Sequence, residues 1–169
     1  HTRCSRDWSS DVCSSDLKVN QIEKPNLPIS SYISISKFKI YMCDVGLLRR
    51  KAKVDASVIL DDNIGYYKEF KGAIAENFVL TELISINEEV PYYWTSGNTA
   101  EVDFVWQLKN IVIPIEVKSG ENLTSRSLTL YRQKYQPQLA VKVSRKNIDR
   151  QDGIINIPLY LLWNLKNLI

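Results

Sequence analysis

From Val102 to Val117 every second position of two successive runs is apolar. Val102, Phe104, Trp106 and Leu108 take every second position, and Ile111, Ile113, Ile115 and Val117 do the same. Side chains alternate faces along a strand, so each run predicts a β-strand with one buried face. If Lys109-Asn110 is a two-residue turn, Leu108 faces Ile111, Trp106 faces Ile113, Phe104 faces Ile115 and Val102 faces Val117. Every one of those pairs is apolar, as a buried face requires. The opposite face then carries Asp103 against Glu116 and Glu101 against Lys118. Asp103 and Glu116 fall at a non-hydrogen-bonded position, where Cα atoms approach to about 4.5 Å.

The rest of the chain is read in the same way. Residues 18–36 are polar and Ser/Pro-containing with little periodicity, which predicts a connector. Lys37 to Met42 alternates as a strand, with Phe38, Ile40 and Met42 on one side. Asp44 is an N-cap candidate for a short helix through Arg49. A turn at Asp61-Asp62-Asn63 precedes a long helix from about Tyr66 to Ile86. Val90 to Thr95 is an aromatic strand; after a turn at Ser96–Thr99 it completes a three-stranded antiparallel meander. Tyr92, Tyr93 and Trp94 could stack on bases, but strand aromatics more often fill a core. Gly120 ends the third strand. Ser125 to about Tyr135 reads as a helix and Leu139 to Val143 as a strand, so the crossover places this strand parallel to its neighbour. Pro158 precedes a final apolar helix, Leu159 to Leu168. The expected fold class is α/β: a mixed central sheet, antiparallel meander plus parallel strand, flanked by helices.

Two carboxylates directly opposite each other repel, so Asp103 against Glu116 needs something to offset the repulsion. A hard divalent cation such as Mg²⁺ or Mn²⁺ does so, taking carboxylate oxygens and keeping several waters. Without it, one carboxyl is expected to have a raised pKa. Lys118 shares the Glu116 face, giving the pattern D-x12-E-x-K. Two acids and a lysine around a metal and an activated water point to phosphodiester hydrolysis. The plainer reading is a solvated outer face on which these charges merely meet water. Glu76, in the long helix, has Gly72, Ala73, Val79 and Leu80 at helical spacing, so it lies on an apolar stripe rather than a charged one. A buried carboxylate is costly unless paired or coordinated. Both a functional role and a structural, hydrogen-bonded one remain open for it.

Composition changes this picture in one respect. Asp7 to Leu17 reads, without a mismatch, as the translation of a common sequencing-adapter DNA, so residues 1–17 are expected to be foreign and are set aside. This removes Arg3 and Arg6 against Asp7, Asp11 and Asp16, and the formal net charge moves from +3 to +4. It also removes His1, Cys4 and Cys13, leaving no histidine and a single thiol, Cys43. Ser-His-Asp and Cys-His catalysis, Cys/His zinc sites and an internal disulfide are thereby excluded, which fits a reducing cytoplasm. Cys43, in an apolar run, reads as a small core residue. No apolar run approaches the length of a membrane span.

Three segments carry a resemblance: Gly72-x3-Glu76-Asn77-Phe78-Val79, Ala100-Glu101-Val102-Asp103-Phe104 and Pro114-Ile115-Glu116-Val117-Lys118-Ser119-Gly120. In the order helix, meander, helix, strand they resemble the core of the PD-(D/E)XK nuclease superfamily, the restriction-endonuclease-like fold. More closely they resemble DUF4143, a domain of unknown function at the C-terminus of a family of prokaryotic AAA+ ATPases. Phe38-Lys39-Ile40-Tyr41, Asp44-Val45-Gly46-Leu47-Leu48 and Ile157-Pro158-Leu159-Tyr160 fit the same family, so the resemblance covers Lys18 to the end. One departure is Val102, where the superfamily's name has proline.

The resemblance implies that Asp103 and Glu116 hold Mg²⁺ or Mn²⁺, with Glu76 a further ligand or the acceptor for a water on that ion. Lys118 would orient or help deprotonate the attacking water, and the substrate would be nucleic acid, DNA foremost. Residues 18–36 would join domain 37–169 to a missing upstream ATPase module. ATP would bind only there, because this chain has no G-x4-G-K-[ST] loop. The alternatives are a non-catalytic nucleic-acid or partner-binding module of that ATPase, and a structural domain whose carboxylates bind no metal.

Overall fold

The Lys109-Asn110 turn joins two antiparallel strands, β4 (Glu101–Leu108) and β5 (Ile111–Val117), at the centre of an eight-stranded mixed sheet. The computed structural model describes residues 15–57, 68–97, 99–120 and 124–169. The other strands are β1 (Asp16–Ile22), β2 (Ile33–Met42), β3 (Tyr92–Thr95), β6 (Ala140–Ser144), β7 (Asp149–Gln151) and β8 (Ile154–Pro158), in the order β2-β1-β3-β4-β5-β6-β8-β7. The helices are α1 (Val45–Lys51), α2 (Lys68–Asn87), α3 (Arg126–Tyr135) and α4 (Leu165–Leu168), with 3₁₀ turns η1 (Ile29–Tyr32) and η2 (Leu159–Asn164).

The expected register holds at Leu108–Ile111, Trp106–Ile113 and Phe104–Ile115. Pro114 falls opposite Val105, between hydrogen-bonded pairs, so its missing N–H takes no bond from that ladder. Each face of the sheet carries its own apolar cluster. On one, Ala75, Val79, Leu80 and Leu83 of α2, with Leu162 and Leu165, pack on Phe104, Trp106, Ile113, Ile115, Val141 and Val143. On the other, Tyr131 of α3 packs with Ile22, Ile29, Trp94, Val102 and Val105. The antiparallel meander forms as expected, β6 runs parallel to β5, and Asp44 caps α1 by accepting from the Leu47 N–H at 2.9 Å. Tyr93 and Trp94 are buried, and Trp94 meets Tyr131 and Tyr135 edge-on, which bears out the core reading of that strand.

Four expectations are corrected. The connector at 18–36 in fact holds most of β1, which pairs with β2 on one side and β3 on the other, and the start of β2. Its polar sequence hid the strand because two neighbours, not local apolar periodicity, hold it there. On β2 the apolar side is outward: Phe38 and Ile40 are 48% and 50% exposed, while Tyr41 on the opposite side is buried. Cys43 is exposed, because it follows the end of β2 and precedes the cap of α1. The expected last helix is mostly 3₁₀. Leu159, Leu162, Leu165 and Leu168 recur every third residue, the repeat of a 3₁₀ helix, and all four pack against the core. The expected turn at Asp61–Asn63, the first residues of the long helix and most of the segment read as foreign lie outside the described residues.

Asn77 ties α2 to the sheet edge. It is buried, its Oδ1 accepts from the Met42 N–H at 2.8 Å, and its Nδ2 donates to the Met42 carbonyl at 2.9 Å. The side chain thus stands in for one residue of a further strand beside β2. Asn77→Ala strands both Met42 groups and is expected to cost about 1–3 kcal/mol. A lowered urea midpoint with unchanged slope is the expected result; a midpoint equal to wild type would mean these bonds hold nothing.

Candidate active site

β4 and β5 part company one step after Phe104–Ile115. Two steps of β3, from Tyr92 to Trp94, oppose three steps of β4, from Val105 to Val102, so β4 carries an extra residue in this stretch. Bulges of this kind turn side chains and interrupt pairing. Val102 accordingly packs with Val105 on the α3 side, and Val117 packs on the α2 side. The expected Val102–Val117 and Asp103–Glu116 ladder pairs therefore do not form. Instead the Val117 N–H donates to Asp103 Oδ2 at 2.7 Å, where a continuous ladder would have used the Val102 carbonyl.

The parting places Asp103 beside the end of β5, whose other edge pairs with β6 through Ile115, Glu116 and Val117. Glu116 is only 5% exposed, a consequence of its place in a central strand. Lys118 Nζ lies 2.8 Å from Glu116 Oε1, as two residues sharing a strand face allow. Glu116 Oε2 is buried and has no hydrogen-bond partner. Glu101 is engaged by Lys39 of β2, not by Lys118 as the simple register implied.

Glu76 comes in from α2, at the margin of the core rather than on its apolar stripe, since Ala73 is exposed and Ala75, Asn77, Val79 and Leu80 face inward. Its Oε2 accepts from the Tyr41 hydroxyl at 3.1 Å. Burial pushes the Glu76 carboxyl up from its ordinary value; Lys39 and the Tyr41 hydroxyl oppose this, and Glu101 and Glu116 add to it. Burial, then the charges of Glu116 and Glu76, holds Asp103 well above the usual carboxylate range, against the Val117 N–H and Lys39. The Tyr41 hydroxyl is itself pushed up by burial and by Glu76 and Asp103, so it stays protonated as a donor.

Asp103, Glu116 and Lys118 are thus gathered at one edge of the parted strands, and the charges of Glu116 and Glu76 both act on Asp103. Among the described residues, no group of three or more His, Cys, Asp or Glu side chains comes together closely enough to hold a metal ion. The donors that fit one are Asp103 and the unpartnered Glu116 Oε2; Mg²⁺ is commonly held by one or two carboxylates and completed by water. A hollow of about 690 Å³ lies at the other end of the hairpin, lined by Trp106, Gln107, Lys109 and Asn87, away from the carboxylates. Sequence reasoning missed Lys39, Tyr41 and Asn77. The alternation Lys37, Lys39, Tyr41 was the available signal, but it lost to the apolar alternation beside it.

A family model described as "Domain of unknown function (DUF4143)" matches residues 71–162, more than half of the chain. The chain belongs to the DUF4143 family. The span matched by DUF4143 takes in Glu76, Asp103, Glu116 and Lys118, whereas Lys39 and Tyr41 precede it. No curated protein and no solved structure matches this DUF4143 chain. Among its described residues no helix is long and apolar enough to cross a membrane.

The raised carboxyls set a pH dependence. In chelator, their contribution to stability is fully present where both are protonated in the folded and unfolded chain. It is lost as pH rises from about 4, the unfolded value, through the raised folded values. Asp103→Asn keeps an oxygen for the Val117 N–H and removes one of these titrations. Urea unfolding is expected to show the variant more stable than wild type near neutral pH, the difference closing in acid. Parallel pH profiles for the two proteins would show that Asp103 is not raised.

Proposed function

We propose that this DUF4143 domain is a divalent-metal-dependent nuclease of the restriction-endonuclease-like type, hydrolysing phosphodiester bonds of nucleic acid, with DNA the foremost substrate. In this reading it serves as the C-terminal part of a cytoplasmic AAA+ ATPase. The observation that carries the proposal is Glu116: a carboxylate buried in a central strand, with Lys118 on one oxygen, no partner on the other, and Asp103 beside it. A buried charged oxygen without a partner is costly, and a cation shared with Asp103 removes that cost.

Asp103 and Glu116 are the residues that would hold Mg²⁺ or Mn²⁺, with Glu76 a further ligand or the acceptor of a hydrogen bond from the attacking water. When bound, the ion supplies a fixed positive charge for a phosphate oxygen and makes water a better nucleophile. The Val117 N–H holds one Asp103 oxygen in place. Lys118, already oriented by Glu116, presents donors to the attacking water and to the charge that develops on phosphorus. Tyr41 keeps the Glu76 carboxylate aimed by donating to it. None of these roles needs a histidine.

A second reading is a nucleic-acid or partner-binding module without catalysis, favoured by the absence of a three-ligand group among the described residues. Incubation of DNA and RNA with the full chain and Mg²⁺ or Mn²⁺ separates the two. Cleavage is expected, reduced about 10²–10⁴-fold by Lys118→Ala and abolished by Asp103→Ala. Cleavage that survives in both variants would sink the nuclease reading, and metal-independent DNA binding without cleavage would support the second. Mn²⁺ is also expected to raise the thermal midpoint of wild type and to leave that of Asp103→Ala unmoved.

A further inference from the structure

Lys39 is a cation of this cluster that the E-x-K pattern does not include. It lies on β2, three places from β4 in the sheet order. Its ammonium lies 5.1 Å from the centroid of the Tyr93 ring of β3 and ion-pairs with Glu101 of β4. The Lys39 side chain is 25% exposed and that of Glu101 46%. Its charge is also felt by Glu76 and Asp103. Four carboxylates, Glu76, Glu101, Asp103 and Glu116, therefore share two lysines, Lys39 and Lys118.

That balance changes if a divalent cation sits between Asp103 and Glu116. The ion answers the two uncompensated negative charges and repels Lys39. What then retains the lysine is Glu101, whose side chain is nearly half exposed, and water screens such a pair. A lysine ammonium is a compact point charge that binds phosphate well. The Lys39 ammonium, held at Glu101 two residues before Asp103 on β4, suits a phosphate next to the one undergoing attack.

We infer that Lys39 exchanges Glu101 for a phosphate of the nucleic-acid backbone, and so is a positioning residue that seats the strand over Asp103 and Glu116. The inference rests on the nucleic-acid reading of the site, but not on cleavage itself.

The test is fluorescence anisotropy of a labelled DNA oligonucleotide with the full chain, across a salt series, in chelator and in Ca²⁺. Wild type is expected to bind with a salt-dependent affinity. Lys39→Ala is expected to bind more weakly, with a slope of log affinity against log salt shallower by about one. Lys39→Arg, which keeps the charge, is expected to restore the slope, and Glu101→Gln, which frees Lys39, to tighten binding. A merely structural ion pair would not move the slope. Where Mg²⁺ supports cleavage, Lys39→Ala is expected to raise KM by a larger factor than it lowers kcat. If Lys39→Ala lacks a cooperative thermal transition, Lys39→Gln, of similar length and uncharged, is read in its place. An unchanged affinity and slope in the neutral variant, or a wild type that binds no DNA, overturns the inference. A wild type that binds DNA without cutting it overturns only the nuclease reading, and the salt slope still decides the part played by Lys39.

Discussion

The bond from the Val117 N–H to Asp103 Oδ2 is where the sheet and the site depend on each other. Two central strands that continued in register would satisfy this N–H with a backbone carbonyl and keep Asp103 on the flat face of the sheet. The extra residue in β4 interrupts that ladder, and the donor left over has to be met, because unpaired backbone groups in a core are costly. The Asp103 carboxylate meets it. In doing so it loses rotational freedom and comes to lie beside Glu116. A single backbone donor therefore ends a strand pair and aims a candidate site residue at once.

Around that point the protein tolerates an arrangement that does not favour its own stability. Asp103 and Glu76 both have raised carboxyls, chiefly from burial, and each feels the charge of Glu116. The compensations come from elements far apart in the chain: Lys118 on Glu116, Tyr41 on Glu76, Lys39 on Glu101. Asn77 holds β2 against α2 through Met42, one residue from Tyr41, so the edge strand that brings Tyr41 and Lys39 is fixed to the helix that brings Glu76. Perturbed acids in such a setting mark functional sites more often than ordinary surface.

The DUF4143 match spans the helix, the meander and the parallel strand, but not β1 or β2. The residues that β2 adds, Lys39 and Tyr41, nonetheless act on acids inside the matched span. The site is thus assembled from both sides of that boundary. Phe38 and Ile40 face out on the same strand because its other side is committed to Tyr41 and Lys39.

The sequence alone determined the β4–β5 hairpin, its register as far as Phe104–Ile115, the cap of α1, and the nearness of Glu116 to Lys118. All of these rest on local periodicity or on residues two to four apart, where strand and helix geometry leave few choices. The triplet spacing of leucines from Leu159 to Leu168 was equally local, though apolar content without its period suggested the wrong helix. Only the tertiary structure decided that a polar segment is β1, that β2 turns its lysine and tyrosine inward, and that Asp103 leaves the ladder to bond Val117. Each of these depends on which strands become neighbours, and that choice is made by burial and pairing across the whole sheet, not by the residues on either side.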